Sequence, residues 1–390
     1  MQFHHGVRVL EVNEGTRPIS TIETAVVGLV ATAPDADESV FPLNEPVLVT
    51  DVYDALSSAG EQGTLAKVLD AISAQSRPLS VIVRVEEGED EAKMTSNVIG
   101  TTINGRNTGM KALLAAQSGR PRIKPRIIGI PGLENESTVA ALGGIAEQLR
   151  GFAYASDINS ENIEEAAAFR ELFGQRELMT IWPSFSAWNT RTNAEESCVA
   201  SAVALGLRAK IDNEVGWHKT LSNYVVNNVT GIDKDVYWDL QNPATDAGYL
   251  NQRDITTLIN HNGFRFWGNR TCAGPDSLFP FENYTRTAQV LADTIANAHM
   301  WAVDAPMHPS LVKDIIAGIN AKFSELKSNG YIIDAECWFD DKINTKETLK
   351  SGRLYIDYDY TPIPPLEDLI FKQRITDRHL INFTSAVNAA

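Results

Sequence analysis

The feature that most constrains the fold of this chain is the alternation of short apolar runs with helical segments. The runs at 25–33, 46–50 and 81–85 are rich in valine, which is typical of strands that are buried on both faces. Helices are predicted over 52–58 and 65–75, between the second and third runs. Because neighbouring parallel strands need a crossover connection, this order predicts a βαβ unit and a mostly parallel sheet.

The alternation continues as far as residue 207, and then its character changes. The acidic run at 86–91 is predicted to be a solvated loop. Residues 208–275 are predicted to be largely irregular, with a short strand at 263–267. Between these stretches the sequence predicts helices over 111–117, 138–150, 161–173 and 194–207, and strands over 126–130, 151–156 and 177–182.

The carboxy-terminal part of the chain predicts a different class of domain. Long amphipathic helices over 281–299 and 309–326 precede strands over 331–339 and 353–360, which is an α+β order. The last strand is two-sided, with Leu354, Ile356, Tyr358 and Tyr360 on one face and Tyr355, Asp357 and Asp359 on the other.

These patterns predict a multidomain chain of α/β and α+β class with extended strand arms at both ends. The first 100 residues carry six basic and 16 acidic side chains, so the first α/β region is predicted to face outward into solvent. The predicted segments are an amino-terminal arm at 1–20, this acidic region at 21–110, a central α/β domain at 111–276, a carboxy-terminal α+β domain at 277–366 and a carboxy-terminal arm at 367–390.

Charge and hydropathy argue against several classes of function. A formal net charge of −16 disfavours nucleic-acid binding, because the chain and the phosphates repel each other. We expect no membrane insertion and no secretory signal, since the sequence has no run of 18 apolar residues and begins without a basic and apolar leader pattern. The cysteines at 198, 272 and 337 form no C-x-x-C pair and are predicted to be scattered reduced thiols.

The sequence contains none of the catalytic motifs that an α/β sheet commonly carries. H-E-x-x-H and G-x-S-x-G are both absent. The turn at 129–132 follows a predicted strand, where phosphates often bind, but it lacks the P-loop lysine and the dinucleotide-binding glycines. A tight turn is the simpler interpretation. We therefore predict no catalytic residues, no cofactor-binding residues, no metal ligands and no cofactor.

Three further clusters keep two interpretations each. Asp233, Asp235 and Asp239 resemble a calcium loop. An EF-hand would need an oxygen ligand at 237 and a glycine at 238, but Tyr237 and Trp238 stand there, which favours a solvated loop. The Trp217-His218-Lys219 segment is either a general-base site, for which no nucleophile is fixed beside it in sequence, or a packed aromatic with a polar edge. The third cluster is an alternating basic stretch that either meets an acidic neighbour or is solvated, and it consists of Arg120, Arg122, Lys124 and Arg126.

Both ends of the chain carry strand-like segments that have no hairpin partner beside them in sequence. A lone strand exposes unpaired N–H and C=O groups, so each segment must pair with its own chain's sheet or with another molecule. Pairing between molecules builds chains of subunits rather than a catalytic pocket. The predicted arm residues are Val7, Val9, Leu10 and Val12 in the first segment, and Leu369, Phe371, Gln373 and Ile375 in the second.

A series of short motifs runs in order along essentially the whole chain. They are HGV at 5–7 with NEGTR at 13–17, VTGI at 229–232, GFRFWGNRT at 263–271, YTRT at 284–287, HMWAVD at 299–304, and YDYTP at 358–362 with the following PP at 364–365. On these motifs the chain resembles contractile phage tail sheath proteins, in particular those of temperate, P2-type phages.

This resemblance implies a fold and a function. It implies a central α/β domain of subtilisin-like topology and a carboxy-terminal domain that faces an inner tube. Subunits stack as hexameric rings around the tail tube, and their terminal arms add strands to a neighbour's sheet. Contraction then drives the tube through the host cell envelope during genome ejection. The arm roles fall on Val7–Val12 and Leu369–Thr376, and the receiving sheet includes Ile333, Leu354, Ile356 and Tyr358.

The resemblance also implies partners and a location. The partners are further copies of the chain, the tail tube protein, and the baseplate and tail terminator proteins, with no nucleic acid and no membrane insertion. The location is the virion tail, after assembly in the host cytoplasm. A mildly basic surface opposite the apolar stripe of helix 309–326 is a candidate tube-facing surface, and it consists of Lys313, Asn320, Ser324 and Lys327.

Three alternative interpretations remain open at this stage. A headless, R-type bacteriocin-like particle would use the same kind of sheath, and the sequence does not separate it from a phage. An α/β hydrolase-like enzyme is disfavoured because the Asp-x-Gly, His-Gly-Thr and Gly-Thr-Ser-Met-Ala-like signatures of subtilisin chemistry are missing. A monomeric or small-oligomer binding module is the third interpretation.

Overall fold

The computed structural model describes residues 18–119, 121–189, 192–378 and 387. Its strands are β1 Val27–Thr32, β2 Pro46–Val49, β3 Ser80–Val85, β4 Thr102–Ile103, β5 Arg106–Asn107, β6 Ile127–Gly129, β7 Phe152–Ser156, β8 Leu178–Ile181, β9 Phe185–Asn189, β10 Ala194–Cys198, β11 Gly231–Ile232, β12 Ile255–Asn260, β13 Phe264–Trp267, β14 Ile332–Trp338 and β15 Asp357–Pro362. Its α-helices are α1 Val52–Ala55, α2 Leu65–Gln75, α3 Glu91–Ile99, α4 Ala112–Ala115, α5 Glu136–Leu149, α6 Ile163–Glu171, α7 Ala200–Glu214, α8 Asp246–Asn251, α9 Glu282–Ala298, α10 Pro309–Ser328 and α11 Lys346–Lys350.

Eight of the strands form one sheet, in the order β13-β12-β8-β7-β6-β1-β3-β2. The inner pairings are parallel, and only the edge strands β2 and β13 are antiparallel to their neighbours. Every residue of β1, β3, β7 and β8 is buried, because helices cover both faces of the sheet. The predicted, mostly parallel α/β sheet is therefore confirmed.

One face of this sheet is covered by α2 and α7, and the opposite face by α5 with α3 and α4. On the first face Leu69 of α2 and Leu205 of α7 are fully buried. The two helices approach closely at Gly206, where a Cβ would lie 2.7 Å from the carbonyl oxygen of Ile72. A side chain at this position would therefore have to displace backbone of the neighbouring helix.

A second, smaller apolar core belongs to the carboxy-terminal domain. There α9 and α10 lie against the antiparallel pair β14 and β15, with Val290, Ile319, Phe323 and Cys337 buried between them. Helix α10 begins with Pro309 at its first turn and is followed by Gly330 at φ 75°, which are the start and stop signals that the sequence carries. The two predicted long helices and the two predicted strands all exist in the structure.

Some predicted elements differ from the observed ones. The helix predicted over 194–207 is wrong at its start, because residues 194–198 form β10 and pair with β9 before α7 begins at Ala200. Tertiary pairing overrides helix propensity there. The acidic run at 86–91 leads into an unpredicted helix, α3, which Asp90 caps by accepting a hydrogen bond from the Lys93 N–H. Strand β12 lies in the region predicted to be irregular.

The predicted connection of strands is also corrected in one place. Helices α1 and α2 join β2 to β3, yet these two strands are antiparallel, and β3 is instead parallel to β1. The strands of 27–85 share the eight-stranded sheet with those of 127–267. The predicted domain boundary at 110/111 therefore lies between strands of one sheet and does not separate two sheets. The described residues include no helix that is both long and apolar enough to cross a membrane.

Candidate functional site

The carboxy-terminal sheet of β14 and β15 is the part of the molecule in which the sequence predicts a receiving surface. Its two strands pair from Ile332 opposite Pro362 to Trp338 opposite Asp357, with a bulge at Ile333. Tyr358 and Tyr360 on the inward face of β15, and Ile356 just before this strand, pack against the core of α9 and α10. The outward face of the same two strands is polar except for Trp338, which is partly exposed.

The predicted receiving residues are placed differently from one another. Tyr358 lies in β15 and packs on the core, with its ring centroid 5.8 Å from that of Phe323. Leu354 and Ile356 precede the strand, which begins at Asp357 rather than at 353, and both are half-buried. Ile333 is half exposed, since the bulge leaves it without an opposite residue.

The outer face of this sheet is acidic. Glu336 lies directly opposite Asp359, and Asp357 lies opposite Trp338. Asp334, the next outward residue of β14, forms an ion pair with Lys327 of α10 at 2.6 Å. This pairing holds the pKa of Asp334 below its usual value, through the hydrogen bond from Lys327 first and that of the Ala335 N–H second. Like charges directly opposite each other on neighbouring strands are unfavourable.

The carboxy-terminal arm leaves the body of the molecule after two fixed points. The Asn283 amide donates to the Ile363 carbonyl at 2.7 Å, and Arg270 makes two hydrogen bonds to the Glu367 carboxylate, at 2.8 and 3.0 Å. Beyond Glu367 no strand or helix is assigned as far as Thr376. The proline-rich linker is thus tied to the body, and the free part of the arm begins at Asp368.

The predicted arm residues in this segment are all solvent-exposed. Phe371 is 84% exposed and Ile375 is 102% exposed, and Leu369 and Gln373 are exposed as well. Large apolar side chains in a row are costly to leave in water, at about 25 cal/mol per Å² of apolar surface. The segment predicted to be a strand therefore has no strand partner within the described part of its own chain.

The amino-terminal arm can be followed only from its root. Val7, Val9, Leu10 and Val12 lie outside the described residues. The chain that follows them packs on the carboxy-terminal core through Ile19 and Ile22, and the Ile22 N–H donates to Thr294 of α9 at 3.4 Å. The root of this arm therefore lies on the same domain as the receiving sheet.

The candidate tube-facing residues do not form one free surface. Asn320 accepts from the Cys337 N–H and donates to the Cys337 carbonyl, both at 2.8 Å, so its amide is bound to the edge of β14. The Ser324 hydroxyl donates to the Asn320 carbonyl within α10. Lys327 is exposed but pairs with Asp334, and Lys313 is exposed. Of the four predicted residues, only the two lysines thus present charge to solvent.

A buried ionic network joins the central domain to α9. Arg208 of α7 contacts Asp212 at 2.7 Å and Glu282 of α9 at 3.0 Å, and all three side chains are fully buried. Arg286, one turn further along α9, pairs with Asp212, and the Tyr154 hydroxyl donates to Glu282 at 2.5 Å. Breaking one partner of such a pair leaves an uncompensated buried charge, at a cost of about 3–5 kcal/mol.

A second buried carboxylate on α9 continues this joint. Asp293 is contacted by Lys124 at 2.7 Å, by Arg126 at 2.5 Å and by Arg150. Burial by itself would raise the pKa of Asp293, but these three cations outweigh it and lower the pKa to about 2. The basic stretch that includes Lys124 and Arg126 therefore meets an acidic neighbour, and that neighbour belongs to the same chain.

The turn at 129–132, where an anion site was considered, holds a carboxylate of its own chain. One Glu134 oxygen accepts the N–H groups of Gly132 and Leu133, and the other accepts from the Ser201 hydroxyl at 2.6 Å and the Ser156 N–H. Burial raises the pKa of Glu134 to about 7, against the effect of these hydrogen bonds. The backbone donors of the turn are therefore already occupied.

The remaining chemical candidates are dispersed or packed. Asp233 accepts from the Ser184 N–H, and Asp239 caps the turn at 241–242. The structure describes no cluster of three or more His, Cys, Asp and Glu side chains that could hold a metal ion. Trp217 stacks on Tyr331 with ring centroids 4.5 Å apart, and His218 meets the same ring edge-on, as the packed-aromatic interpretation predicts.

Sequence reasoning missed the contacts that define this region. Asn320, Asn283 and Arg270 are single polar residues whose partners lie 17 to 97 positions away in sequence, so spacing could not reveal them. The α9 network had one available signal, because Glu282, Arg286 and Asp293 recur at helical spacing on one side of a helix whose other side is apolar.

Models of protein families match three consecutive parts of the chain. Residues 24–85 match the tail sheath protein Gp18 domain III amino-terminal region, residues 105–272 match the phage tail sheath protein central domain, and residues 275–376 match the phage tail sheath carboxy-terminal domain.

Individual relatives agree with these matches over nearly the full length. The chain is 58% identical to the tail sheath protein of Escherichia phage P2, over 99% of both chains. It is 48% identical to the major tail sheath protein of Serratia phage KSP20, over 97% of this chain and 96% of the relative.

Solved structures show that the fold is shared more widely. The sheath of the PVC extracellular contractile injection system, in its contracted state, is similar with a TM-score of 0.71 at 16% identity, over 97% of this chain and 99% of the other. The contracted helical sheath of the anti-feeding prophage gives 0.72 at 17% identity, over 95% and 98%.

Proposed function

The chain belongs to the phage tail sheath family, and we propose that it polymerises as stacked hexameric rings around a tail tube and contracts to drive that tube through the host cell envelope. The observation that carries the proposal is that the same chain contains both a sheet with an unpaired edge and an exposed apolar arm. Neither is satisfied within the described residues, and each has the form that the other requires. A second copy of the chain supplies both.

The arm of one subunit adds as a strand to the carboxy-terminal sheet of a neighbour. In this joint Leu369, Phe371, Gln373 and Ile375 lie on the face of the arm that continues the apolar side of the sheet. Backbone hydrogen bonds give the joint its strength, and alternate side chains give it specificity. The amino-terminal arm at Val7–Val12 has the corresponding role toward another neighbour.

Contraction needs no cofactor and no catalytic residue in this proposal. Its energy is the difference between two packings of the same subunits, so each subunit moves as a body while the arm joints persist. The buried network around Arg208, Glu282 and Asp293 supports such movement, because it fixes α9 between the central and carboxy-terminal domains. We assign the chain no enzymatic role.

The further partners follow from this assembly. The tube protein contacts the carboxy-terminal domain through the exposed lysines of α10, Lys313 and Lys327. Baseplate and tail terminator proteins contact the two ends of the polymer. The subunit assembles in the host cytoplasm and resides in the tail of the virion.

Deletion of residues 368–390 tests the proposal. The truncated chain retains both domains and both tie points of the linker, so we expect an unchanged far-ultraviolet circular dichroism spectrum and thermal midpoint. We expect it to remain monomeric in sedimentation, whereas the full chain forms sheath-like cylinders in negative-stain micrographs. A matched control lacks only residues 379–390, beyond the predicted strand, and should still assemble. Cylinders formed by the 368–390 deletion would contradict the proposal.

A headless contractile particle is the second candidate. The observation in its favour is that the similar solved structures are sheaths of the PVC extracellular injection system and the anti-feeding prophage. The two candidates predict the same polymer and differ in what is attached to it. Purified particles that carry a DNA-filled capsid would support the phage, and capsid-free particles with intact baseplates would support the alternative.

A further inference from the structure

A surplus of positive charge lies where the chain before β6 and the end of α5 meet α9. One oxygen of the Asp293 carboxylate contacts Lys124 at 2.7 Å and Arg126 at 2.5 Å, and the other contacts Arg150, which follows α5. We call these four residues the Asp293 cluster. No other carboxylate pairs with its three cations in the part of the chain that the structure describes, so two positive charges have no counter-ion.

The cluster is closed on one side and open on the other. The side chains of Lys124 and Arg126 are 16% and 8% exposed, whereas that of Arg150 is 54% exposed. The Arg126 Nε is buried and has no hydrogen-bond acceptor among the described residues. Arg150 donates to Asp293 through Nη1 alone, which leaves its other donors available. Unused donors and an opening that leads to them are therefore present together.

The electrostatics of the cluster favour a second anion. Burial lowers the pKa of Arg126, and Asp293 does not fully offset this effect, because Arg150 and Arg286 repel the same charge. Burial also lowers the pKa of Lys124, again against the effect of Asp293. A buried charge loses its hydration and is normally paired in compensation. An anion with two negative charges would balance the surplus.

The donors indicate which class of anion fits. A guanidinium presents its N–H groups as a planar fork, which matches two oxygens of a phosphate, sulfate or carboxylate group. The Lys124 ammonium adds a compact charge beside that fork. A nucleic acid is a poor ligand, because the chain has a net charge of −16 and would repel the rest of the polymer. A single small oxyanion is the ligand that this charge and these donors suit.

We infer that the Asp293 cluster binds one small oxyanion of the phosphate or sulfate type, held by Arg150 at the opening with Lys124 and Arg126 behind it. This site goes beyond the proposed sheath function and does not depend on it, because all of its residues belong to one subunit. The bound anion joins the end of α5 and the chain before β6 to α9. It therefore strengthens the contact between the central and the carboxy-terminal domains.

Thermal unfolding of the full chain in inorganic phosphate tests the site. Phosphate also stabilises proteins by exclusion from their surface, so chloride at equal ionic strength and a matched variant are the controls. We expect a saturable rise of about 3 °C in the thermal midpoint once phosphate reaches about 100 times its dissociation constant. Arg150→Gln should lose most of this rise. Arg77→Gln should keep it, because Arg77 is 59% exposed and pairs with Asp51 alone.

Asp293→Asn gives a sharper test, because a binding site and a purely structural cluster predict different results. If the cluster only joins the two domains, this variant is destabilised equally in phosphate and in chloride. If the cluster binds an oxyanion, the variant loses a negative charge that competes with the ligand. Phosphate should then bind about tenfold more tightly and restore much of the lost thermal midpoint. Equilibrium dialysis with labelled phosphate measures the binding, and we expect one ion per parent chain.

Dialysis also distinguishes two sources of the oxyanion. Uptake by the dilute chain and by assembled cylinders supports the site and identifies a free ion as its ligand. Uptake that disappears on assembly supports the site and identifies an acidic side chain of a neighbouring copy as its occupant. A dilute parent chain that takes up no phosphate overturns the inference, and so does equal uptake by the parent and Arg150→Gln.

Failure of this inference and failure of the proposed function are separate results. A chain that forms no cylinders contradicts the proposed function, and the dilute chain then decides whether the site exists. A chain that forms cylinders but takes up no phosphate when dilute retains the proposed function and lacks the site. Equal rescue of Asp293→Asn by phosphate and by chloride leads to the same conclusion about the site.

Discussion

Glu134 shows how a single buried residue can define a turn that otherwise resembles a binding site. Its carboxylate accepts four hydrogen bonds, from two N–H groups of its own turn, the Ser156 N–H and the Ser201 hydroxyl. The turn follows a strand of a parallel sheet and precedes a helix, where external anions commonly bind. Because the chain supplies its own carboxylate, the position is structural, and the Ser201 hydroxyl is sealed from solvent with it.

The raised pKa of Glu134 predicts a pH dependence of stability. The ordinary value is 4.5 and the folded value about 7, so the folded state holds a proton over this interval that the unfolded state releases. The free energy of unfolding should therefore fall as pH rises from about 4.5 to 7, by about 3 kcal/mol from this group. Urea unfolding at pH 5 and pH 8 measures this fall in the free energy of unfolding. In the Glu134→Gln variant the fall between the two pH values should be smaller than in the parent chain by about 3 kcal/mol. Equal losses in both proteins would contradict the prediction.

At the scale of elements, α9 owes its place to having two different buried sides. Val290 and Leu291 face the carboxy-terminal core, whereas Glu282, Arg286 and Asp293 form ion pairs with residues of the central domain. A purely apolar helix could slide between two apolar surfaces, but specific ion pairs are satisfied in only one arrangement. The helix therefore fixes the geometry of the two domains that it contacts.

The close approach of α2 and α7 gives a prediction at the same scale. Gly206→Ala places a Cβ 2.7 Å from the Ile72 carbonyl oxygen, so the helices must separate, and we expect a loss of about 1–3 kcal/mol in unfolding free energy. The matched control is Gly144→Ala in α5, where a Cβ meets nothing within 4 Å. This substitution should raise the free energy of unfolding by about 0.5–1 kcal/mol, because alanine favours a helix over glycine. Denaturant unfolding measures both, and equal effects of the two substitutions would contradict the account.

What the sequence could and could not predict also divides at this scale. The helices α9 and α10 and the strands β3, β7 and β14 were predictable because their own periodicity specifies them, and α10 also has Pro309 as a start signal. Strand β10 was not, since Ala-Glu-Glu favours a helix and only its pairing with β9 makes it a strand. The two hydrogen bonds between Asn320 and Cys337 of β14 join residues 17 positions apart on two elements, which no local pattern encodes.

At the scale of the whole molecule, both chain ends are rooted close to the carboxy-terminal domain. The amino-terminal root packs on α9 through Ile22, and the carboxy-terminal arm is tied at Ile363 to Asn283 of the same helix. The family resemblance predicted the arms and the receiving sheet but no contact between them within one chain. The structure adds that a single helix contacts both roots, the core under the sheet and the central domain.

The candidate tube contact gives the prediction at this scale. Lys313→Glu with Lys327→Glu reverses the two exposed lysine charges of α10, and we expect the variant to form sheath polymers but not to assemble on tail tubes. Electron microscopy of sheaths assembled with and without purified tubes measures this. Lys342→Glu with Lys346→Glu is a control of equal charge change away from α10. Full-length sheaths on tubes from the α10 variant would rule this contact out.

The bidentate bond between Arg270 and Glu367 has a mechanical meaning. Arg270 also lies 3.6 Å from Asp254 and over the ring of Phe281, so it is held from several sides just where the free arm begins. If the arm joins neighbouring subunits as we propose, tension on the arm enters the body at Arg270, which follows β13 and pairs with Asp254, the residue before β12. In the proposed polymer the load between subunits would then be carried by the eight-stranded sheet rather than by the proline-rich linker.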